Sequence, residues 1–370
     1  MSRAALKWAV ALTVVLCPAA LRGGDPHVDP RLVPDGCNSC HRGHGLSRSP
    51  MLAAPQVEVC LSCHGSEARG ASILDRGAPA AASRRQVLST ALNQPFVHPI
   101  DDQAFSRREP GVVTCTSCHS PHRGSVPADR EATTRGIPKL STRDPGRLEF
   151  ELCESCHGRT GSAGRLSRSV GELLEPRNRS YHPVKAPSKS GAPSVAAELA
   201  GREINCTDCH GNSDPRGARG PHGSAVASLL VAEYVGMDGS GESAATYELC
   251  YECHDRQRVL DSPLFPQHRL HVVDARSSCA TCHDAHGSVS NRALIRFGDA
   301  DTLSTTAPSG LTGQLRYVSD APGSGACYLT CHGYDHAPAA YGAVGVGTRE
   351  RLPLESDRLP RRTLDDAPRD

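Results

Sequence analysis

Sixteen of the chain's 17 cysteines fall into eight pairs, and a histidine stands directly behind the second cysteine of every pair. A thiol pair with an adjacent imidazole is equipped for one chemistry in particular. The thiols add across two vinyl groups of a porphyrin, and the imidazole is then held under the ring to bind its iron. Cys-x-x-Cys-His is the attachment site of a c-type haem. Seven copies keep that spacing: Cys37/Cys40 with His41, Cys60/Cys63 with His64, Cys115/Cys118 with His119, Cys153/Cys156 with His157, Cys206/Cys209 with His210, Cys250/Cys253 with His254, and Cys279/Cys282 with His283. The eighth, Cys327/Cys331 with His332, has three residues between its cysteines. A disulfide scaffold has no use for a histidine after each pair, and zinc knuckles take their ligands in sets of four. The expected complement is eight haem c groups, or seven if the longer spacer leaves Cys327 and Cys331 without one.

Of 18 histidines, ten lie outside the motifs. They are the candidates for the second axial position of each iron. Upstream of the odd-numbered motifs stand His27, His98, His182 and His271, with His268 as the reserve in the last case. Downstream of the same motifs stand His44, His122, His222 and His286, and His336 follows the last motif as a further reserve. The downstream histidines have Gly or Ser close behind, as in His222-Gly223-Ser224 and His286-Gly287-Ser288. His222 comes twelve residues after His210, where its counterparts come three after theirs, which reads as an inserted loop. Proline follows His98 and His182, stiffening the backbone that presents them. Beyond the amino-terminal run the only thioethers are Met51 and Met237, in no repeated position. Histidine is therefore expected on both sides of nearly every iron. Since Met/His ligation raises potential, its absence points to low-potential haems. Spacing alone does not assign each distal histidine to an iron.

The elements that must position these groups repeat four times, once per pair of motifs. The two-haem units span 23–90, 91–175, 176–262 and 263–336, with a polar tail at 337–370. Residues 1–22 read as a signal peptide, with Arg3 and Lys7 before the apolar run Trp8 to Leu16 and small residues at Ala19 and Ala20. Cys17 has the alternative of carrying a lipid, against which the bulky Leu16 argues. No later segment reads as a membrane span: the most apolar, 225–235, is short and carries Glu233. Export suits a haem that is attached outside the cytoplasm; the periplasm is the expected location, with the outer membrane or the cell exterior as alternatives.

Only 4% of residues are aromatic, while Gly (35) and Pro (28) are abundant, so side chains alone make a poor core. The expected fold class is a multihaem cytochrome c with little regular secondary structure, short helices and long loops wrapped around stacked haems. Helical turns are expected at the motifs, with helices over 225–235 and 171–174 and exposed linkers at 77–83 and 186–194. The formal charge of +1, with acidic and basic residues interspersed, offers no groove for nucleic acid.

The run Cys279-Ala280-Thr281-Cys282-His283-Asp284-Ala285-His286-Gly287-Ser288, followed by Cys327-Tyr328-Leu329-Thr330-Cys331-His332-Gly333, resembles the unit of multihaem c-type cytochromes with doubled CxxCH motifs, the cytochrome c3/c7-like class. The resemblance extends over residues 27–336; the Cys327/Cys331 spacer and the insertion before His222 depart from it. It implies electron transfer through closely stacked bis-histidine haems in anaerobic respiration. The implied partners are other redox proteins: cytochromes, a membrane quinol oxidase or an outer-membrane conduit. An octahaem electron carrier, with no catalytic residues, is the reading expected to hold. One alternative is a multihaem reductase of a small oxyanion. That chemistry needs an iron with an open position, often marked by lysine in place of the motif histidine, and no motif here has one. The other is a structural haem subunit of an outer-membrane conduit or filament.

Overall fold

The computed structural model describes residues 27, 33, 35–42, 51–66, 88–100, 113–119, 121, 145–158, 169–189, 192–297 and 306–342. The expected signal peptide, Cys17, the 77–83 linker, His44, His122 and residues 343–370 lie outside them.

Thiols at i and i+3 and an imidazole at i+4 share one face only if the backbone is helical. At the seven regular motifs it is. A 3-10 turn covers Gly36–Ser39, and α-helical segments cover Gln56–His64, Cys115–Cys118, Pro145–His157, Cys206–Cys209, Glu248–Tyr251 and Cys279–Cys282. The N–H of His41, His119, His210, His254 and His283 donates to the carbonyl of its own first cysteine at 2.8–3.0 Å. Capping boxes, Thr114 with Ser117 and Asn205 with Asp208, start two of the shortest helices.

Four two-residue strands, β1 (Phe96–Val97), β2 (Ser180–Tyr181), β3 (Gly223–Ser224) and β4 (Gly287–Ser288), make two antiparallel ribbons, β1 with β3 and β2 with β4. Each ribbon joins the segment just before an upstream histidine to the segment just after a downstream histidine of the following unit. The His-Gly-Ser signature acquires a physical reason here. A Cβ on Gly223 or Gly287 would overlap the carbonyl of Ala91 or Leu173, so only glycine allows the close approach. The next residues, Ser224 and Ser288, are fully buried and donate from Oγ to the carbonyls of Leu230 (2.7 Å) and Ile295 (2.8 Å).

The carboxy-terminal part is different. Strands β5 (Thr306–Ala307), β6 (Arg316–Val318), β7 (Gly325–Cys331) and β8 (Tyr334–Tyr341) form an antiparallel sheet. β8 runs along β7, while β6 pairs with residues 326–328 of β7 and β5 with residues 330 and 331. Two expectations are corrected. The 225–235 stretch is no helix: only a 3-10 turn, Ala227–Leu229, forms there, broken by left-handed Ser228 (φ 60°), because the Ser224 hydroxyl draws the Leu230 carbonyl back into a loop. And the polar tail does not begin at 337, since β8 extends to Tyr341. The short helix Val170–Leu173 nearly coincides with the 171–174 expectation.

Buried side chains are few and often polar. One hydrophobic cluster forms around Tyr247, Leu260 and Val272, with Tyr234 and Tyr251 against it. Lys185 ties the second unit to the third, reaching Glu154 (2.5 Å) and Glu175 (2.6 Å) over the face of Phe150. No described helix is long and apolar enough to cross a membrane.

Candidate haem sites

Histidine rings meet in pairs across the whole described structure, at a separation that is too wide for ring stacking. Their centres are 6.1 Å apart for His27–His64, 6.3 Å for His98–His157, 5.8 Å for His119–His222, 6.4 Å for His182–His254, 6.2 Å for His210–His286, 6.3 Å for His268–His283 and 6.2 Å for His271–His336. A metal–imidazole bond is about 2 Å and a ring nitrogen lies about 1 Å from the ring centre. Two imidazoles on opposite sides of one metal therefore have centres about 6 Å apart. The pairs have the separation that a six-coordinate haem iron requires.

The outer ring nitrogens are set for the same task. Nδ1 of His98 donates to the carbonyl of Pro221 (2.6 Å), His210 to Ser228 (2.9 Å), His271 to Gln267 (2.8 Å) and His283 to Ala293 (2.7 Å). His182 makes the equivalent bond to Ala285. His286 Nδ1 donates to the Asp284 carboxylate (3.2 Å), which Arg296 holds from the other side (3.0 Å). His254 Nδ1 meets the Ser194 hydroxyl (2.9 Å), so the end of the expected 186–194 linker orients a motif histidine. Carbonyls and carboxylates only accept, so in those six residues Nδ1 carries the proton and Nε2 keeps its lone pair. Metal-binding histidines have this second hydrogen bond as a rule. Burial, before any charged neighbour, keeps His157, His210, His254, His283 and His336 below the ordinary imidazole range, and lowers His182, His222 and His268 to about 4. The neutral form so favoured is the one that binds metal.

The pairs follow a rule that spacing did not show. Upstream histidines meet the second motif of their own unit: His27 with His64, His98 with His157, His182 with His254. Downstream histidines meet the first motif of the preceding unit: His222 with His119, His286 with His210. The first motif of the last unit departs from this rule: His283 faces His268, an upstream histidine of its own unit. His268 and His271 therefore both have partners, His271 lying on a π-helical turn, Arg269–Asp274, that begins directly after His268. The candidate ligand His332 meets no histidine ring among the described residues; its Nε2 lies 3.2 Å from the Asp238 carboxylate.

Successive motifs touch in chain order. Gln56, four residues before Cys60, donates to Thr116 Oγ1 (3.0 Å) and accepts from the Thr116 N–H (3.2 Å). Glu149, four before Cys153, accepts from the Thr207 N–H (2.8 Å) and Oγ1 (3.0 Å). Cys153 lies against Cys206 and near Cys118, and Cys250 lies against Cys279. Burial and then the nearby Cys63 raise the Cys40 thiol. Burial, then Asp208 and the thiols of Cys253 and Cys250, push Cys209 up to about 12. Burial followed by Cys327 and Cys331 does the same to Cys282. The sixteen motif cysteines form no disulfides.

Spacing treats the two thiols of a motif alike, and the structure separates them. Cys153 is half-buried against Cys206, whereas Cys156 is exposed on the last turn of the Pro145–His157 helix. The Ser155 hydroxyl lies 3.8 Å from the Cys156 sulfur and donates to the Leu152 carbonyl (2.7 Å). Cys63 and Cys253, the second cysteines of the corresponding motifs in the first and third units, are exposed in the same way, as is Cys37 of the first motif. In the fourth and sixth motifs the first cysteine is the one turned to the following motif, which leaves Cys156 and Cys253 on the solvent side.

Helical CxxC turns, six of the seven followed by an imidazole set opposite a second one among the described residues, on a loop-rich fold define a multihaem c-type cytochrome of the doubled CxxCH type, a haem-binding electron-transfer protein. Comparison with known proteins places its neighbours. The family model of outer membrane cytochrome MtrC/MtrF-like proteins, domains II/IV, matches residues 114–294, and that of the doubled CXXCH motif matches residues 31–69. The chain is similar to multiheme cytochrome MtrA of Shewanella baltica (strain OS185), 24% identical over 328 residues, covering 78% of each chain. No solved structure matches it.

Proposed function

We propose that the chain is an octahaem electron carrier in which every iron lies between two histidines, and in which the units are wired to one another by the ligands they exchange. The seven imidazole pairs at 5.8–6.4 Å carry this reading. The same exchange assigns His122 to the first motif, opposite His41, and leaves His44 over once the eight motifs have their partners. Each bound haem supplies a one-electron iron couple; the chain holds both axial nitrogens, favours by burial the neutral form of His157, His182, His210, His222, His254, His268, His283 and His336, and brings consecutive attachment sites together. The closeness of Cys153 to Cys206, between the fourth and fifth motifs, and of Cys250 to Cys279, between the sixth and seventh, supports a continuous file of haems along the chain. With a second histidine facing each iron, no position is left open for an oxyanion substrate, which favours transfer over reduction.

The likeness to proteins described as outer membrane cytochrome and multiheme cytochrome supports a place in the periplasm or at the outer membrane, with other cytochromes as donor and acceptor. The test is the intact mass of the secreted protein together with its low-temperature EPR spectrum. Eight haem increments and only low-spin ferric signals are expected. A high-spin, ligand-accessible haem in the native protein would overturn the carrier reading.

A further inference from the structure

The last motif departs from the others in spacing, and the structure shows a departure in backbone as well. Its two cysteines lie at 327 and 331 of strand β7, not on a helical turn. In a strand, successive side chains alternate between faces, so Leu329 and Cys331 share one face, and the register with β8 shifts between Leu329 and Cys327. His332, next in sequence, cannot follow Cys331 onto that face as a motif histidine does on a helix. It becomes the first residue of the two-residue turn between β7 and β8, and both turn residues, His332 (φ 50°) and Gly333 (φ 77°), adopt the left-handed conformation of a type I′ hairpin. Positive φ is uncommon for a non-glycine residue, and here it carries the imidazole away from the cysteines.

The neighbouring strand supplies a replacement. His336 on β8 is the cross-strand partner of Leu329, midway between the cysteines, and cross-strand partners lie on the same face. Its ring centre is 6.2 Å from that of His271, with 29° between the planes, matching the pairs at the regular sites. His271 is held by its bond to the Gln267 carbonyl, and Phe265 packs on both His271 (5.7 Å) and the β8 residue Tyr341 (4.8 Å), joining the two halves of the site. His271 is also the upstream histidine of the last unit. By the rule of the other units it faces the second motif's proximal ligand, and the residue it faces is His336.

We propose that the eighth haem iron is bound by His336 and His271, and that His332 is no ligand but an anchor, tying the hairpin tip to Asp238. That carboxylate is nearly buried and also accepts from the Ser278 N–H (2.7 Å) and from Thr281 Oγ1 at the seventh motif. The inference rests on the reading of eight haems between histidine pairs, and it adds a proximal ligand five residues beyond the second cysteine.

The experiment compares the full secreted protein with three variants, His332→Asn, His336→Ala and His336→Met, by intact mass and by EPR and absorption spectroscopy. Asn-Gly is a favoured I′ turn, so His332→Asn removes the imidazole and keeps the hairpin. It is expected to retain eight haems, all low-spin. His336→Ala is expected to produce one high-spin haem that binds carbon monoxide. Should that variant fail to accumulate, His336→Met decides: one haem keeps six ligands, gains a sulfur-to-iron charge-transfer band, and is reduced at higher potential than in the parent, as Met/His ligation requires. A high-spin haem in His332→Asn, with His336→Met indistinguishable from the parent, would overturn the assignment while leaving eight haems in place. A parent mass of seven haems with Cys327 and Cys331 unmodified would overturn both the assignment and the count.

Discussion

Glu149 offers the sharpest test of how neighbouring haem sites are held together. Its side chain is 1% exposed and accepts two hydrogen bonds from Thr207, in the middle of the Cys206–Cys209 turn. Gln56 occupies the corresponding place in the first unit and bonds Thr116 in the same way. An acceptor at this position is therefore required, and a charge is not. Replacing Glu149 by Ala removes two hydrogen bonds worth about 1 kcal/mol each and leaves a void, for a loss of about 2–3 kcal/mol. The thermal midpoint, followed through the haem absorption, should fall by roughly 3–4 °C. Glu149→Gln keeps the acceptor. Burial raises the pKa of Glu149, so folding disfavours its charged form, and the wild-type protein loses stability as pH rises through that raised value. Glu149→Gln should match wild type in acid and equal or exceed it at neutral pH. Equal damage from Ala and Gln, or none from Ala, would refute the reasoning.

Further outcomes follow from the same geometry. Gly287→Ala forces a Cβ against the Leu173 carbonyl, and should cost about 1–3 kcal/mol and raise a high-spin fraction at the His210 site, detectable by EPR. His122→Ala should give a high-spin haem, and His44→Ala should not, because the eight motifs already have other partners. The imidazoles of His182, His222 and His268 sit near 4 in the folded chain against an ordinary 6.5, so their contribution is fully present above pH 6.5 and is lost as pH falls towards 4. Denaturation midpoints should therefore be lower at pH 5 than at pH 7; equal midpoints would contradict the burial.

Local spacing made the attachment sites readable, because thiol, thiol and imidazole must share one helical face within five residues. Which thiol of a motif meets its neighbour, as Cys153 meets Cys206, depends on contacts between motifs and left no local trace. The His-Gly-Ser runs at 222–224 and 286–288 were also visible as a signature, though its cause lay elsewhere. Glycine is there for the Ala91 and Leu173 carbonyls, more than a hundred residues away in sequence. Pairing was illegible for the same reason. His286 is three residues from His283 yet faces His210, because the β2–β4 ribbon carries it into the preceding unit. His268 and His336, held as reserves, became legible only through their long-range partners, His268 facing His283 and His336 facing His271. Gln56 and Glu149 share the same place, four residues before an even-numbered motif, but nothing local distinguished them from solvated side chains.

The central claim is that the units exchange ligands. An experimentally determined structure of the haem-loaded protein tests it directly at one iron, the one attached to Cys206 and Cys209. His210 is expected on one side of that iron and His286, from the following unit, on the other. A second ligand drawn from the same unit, with His286 turned away, would contradict it.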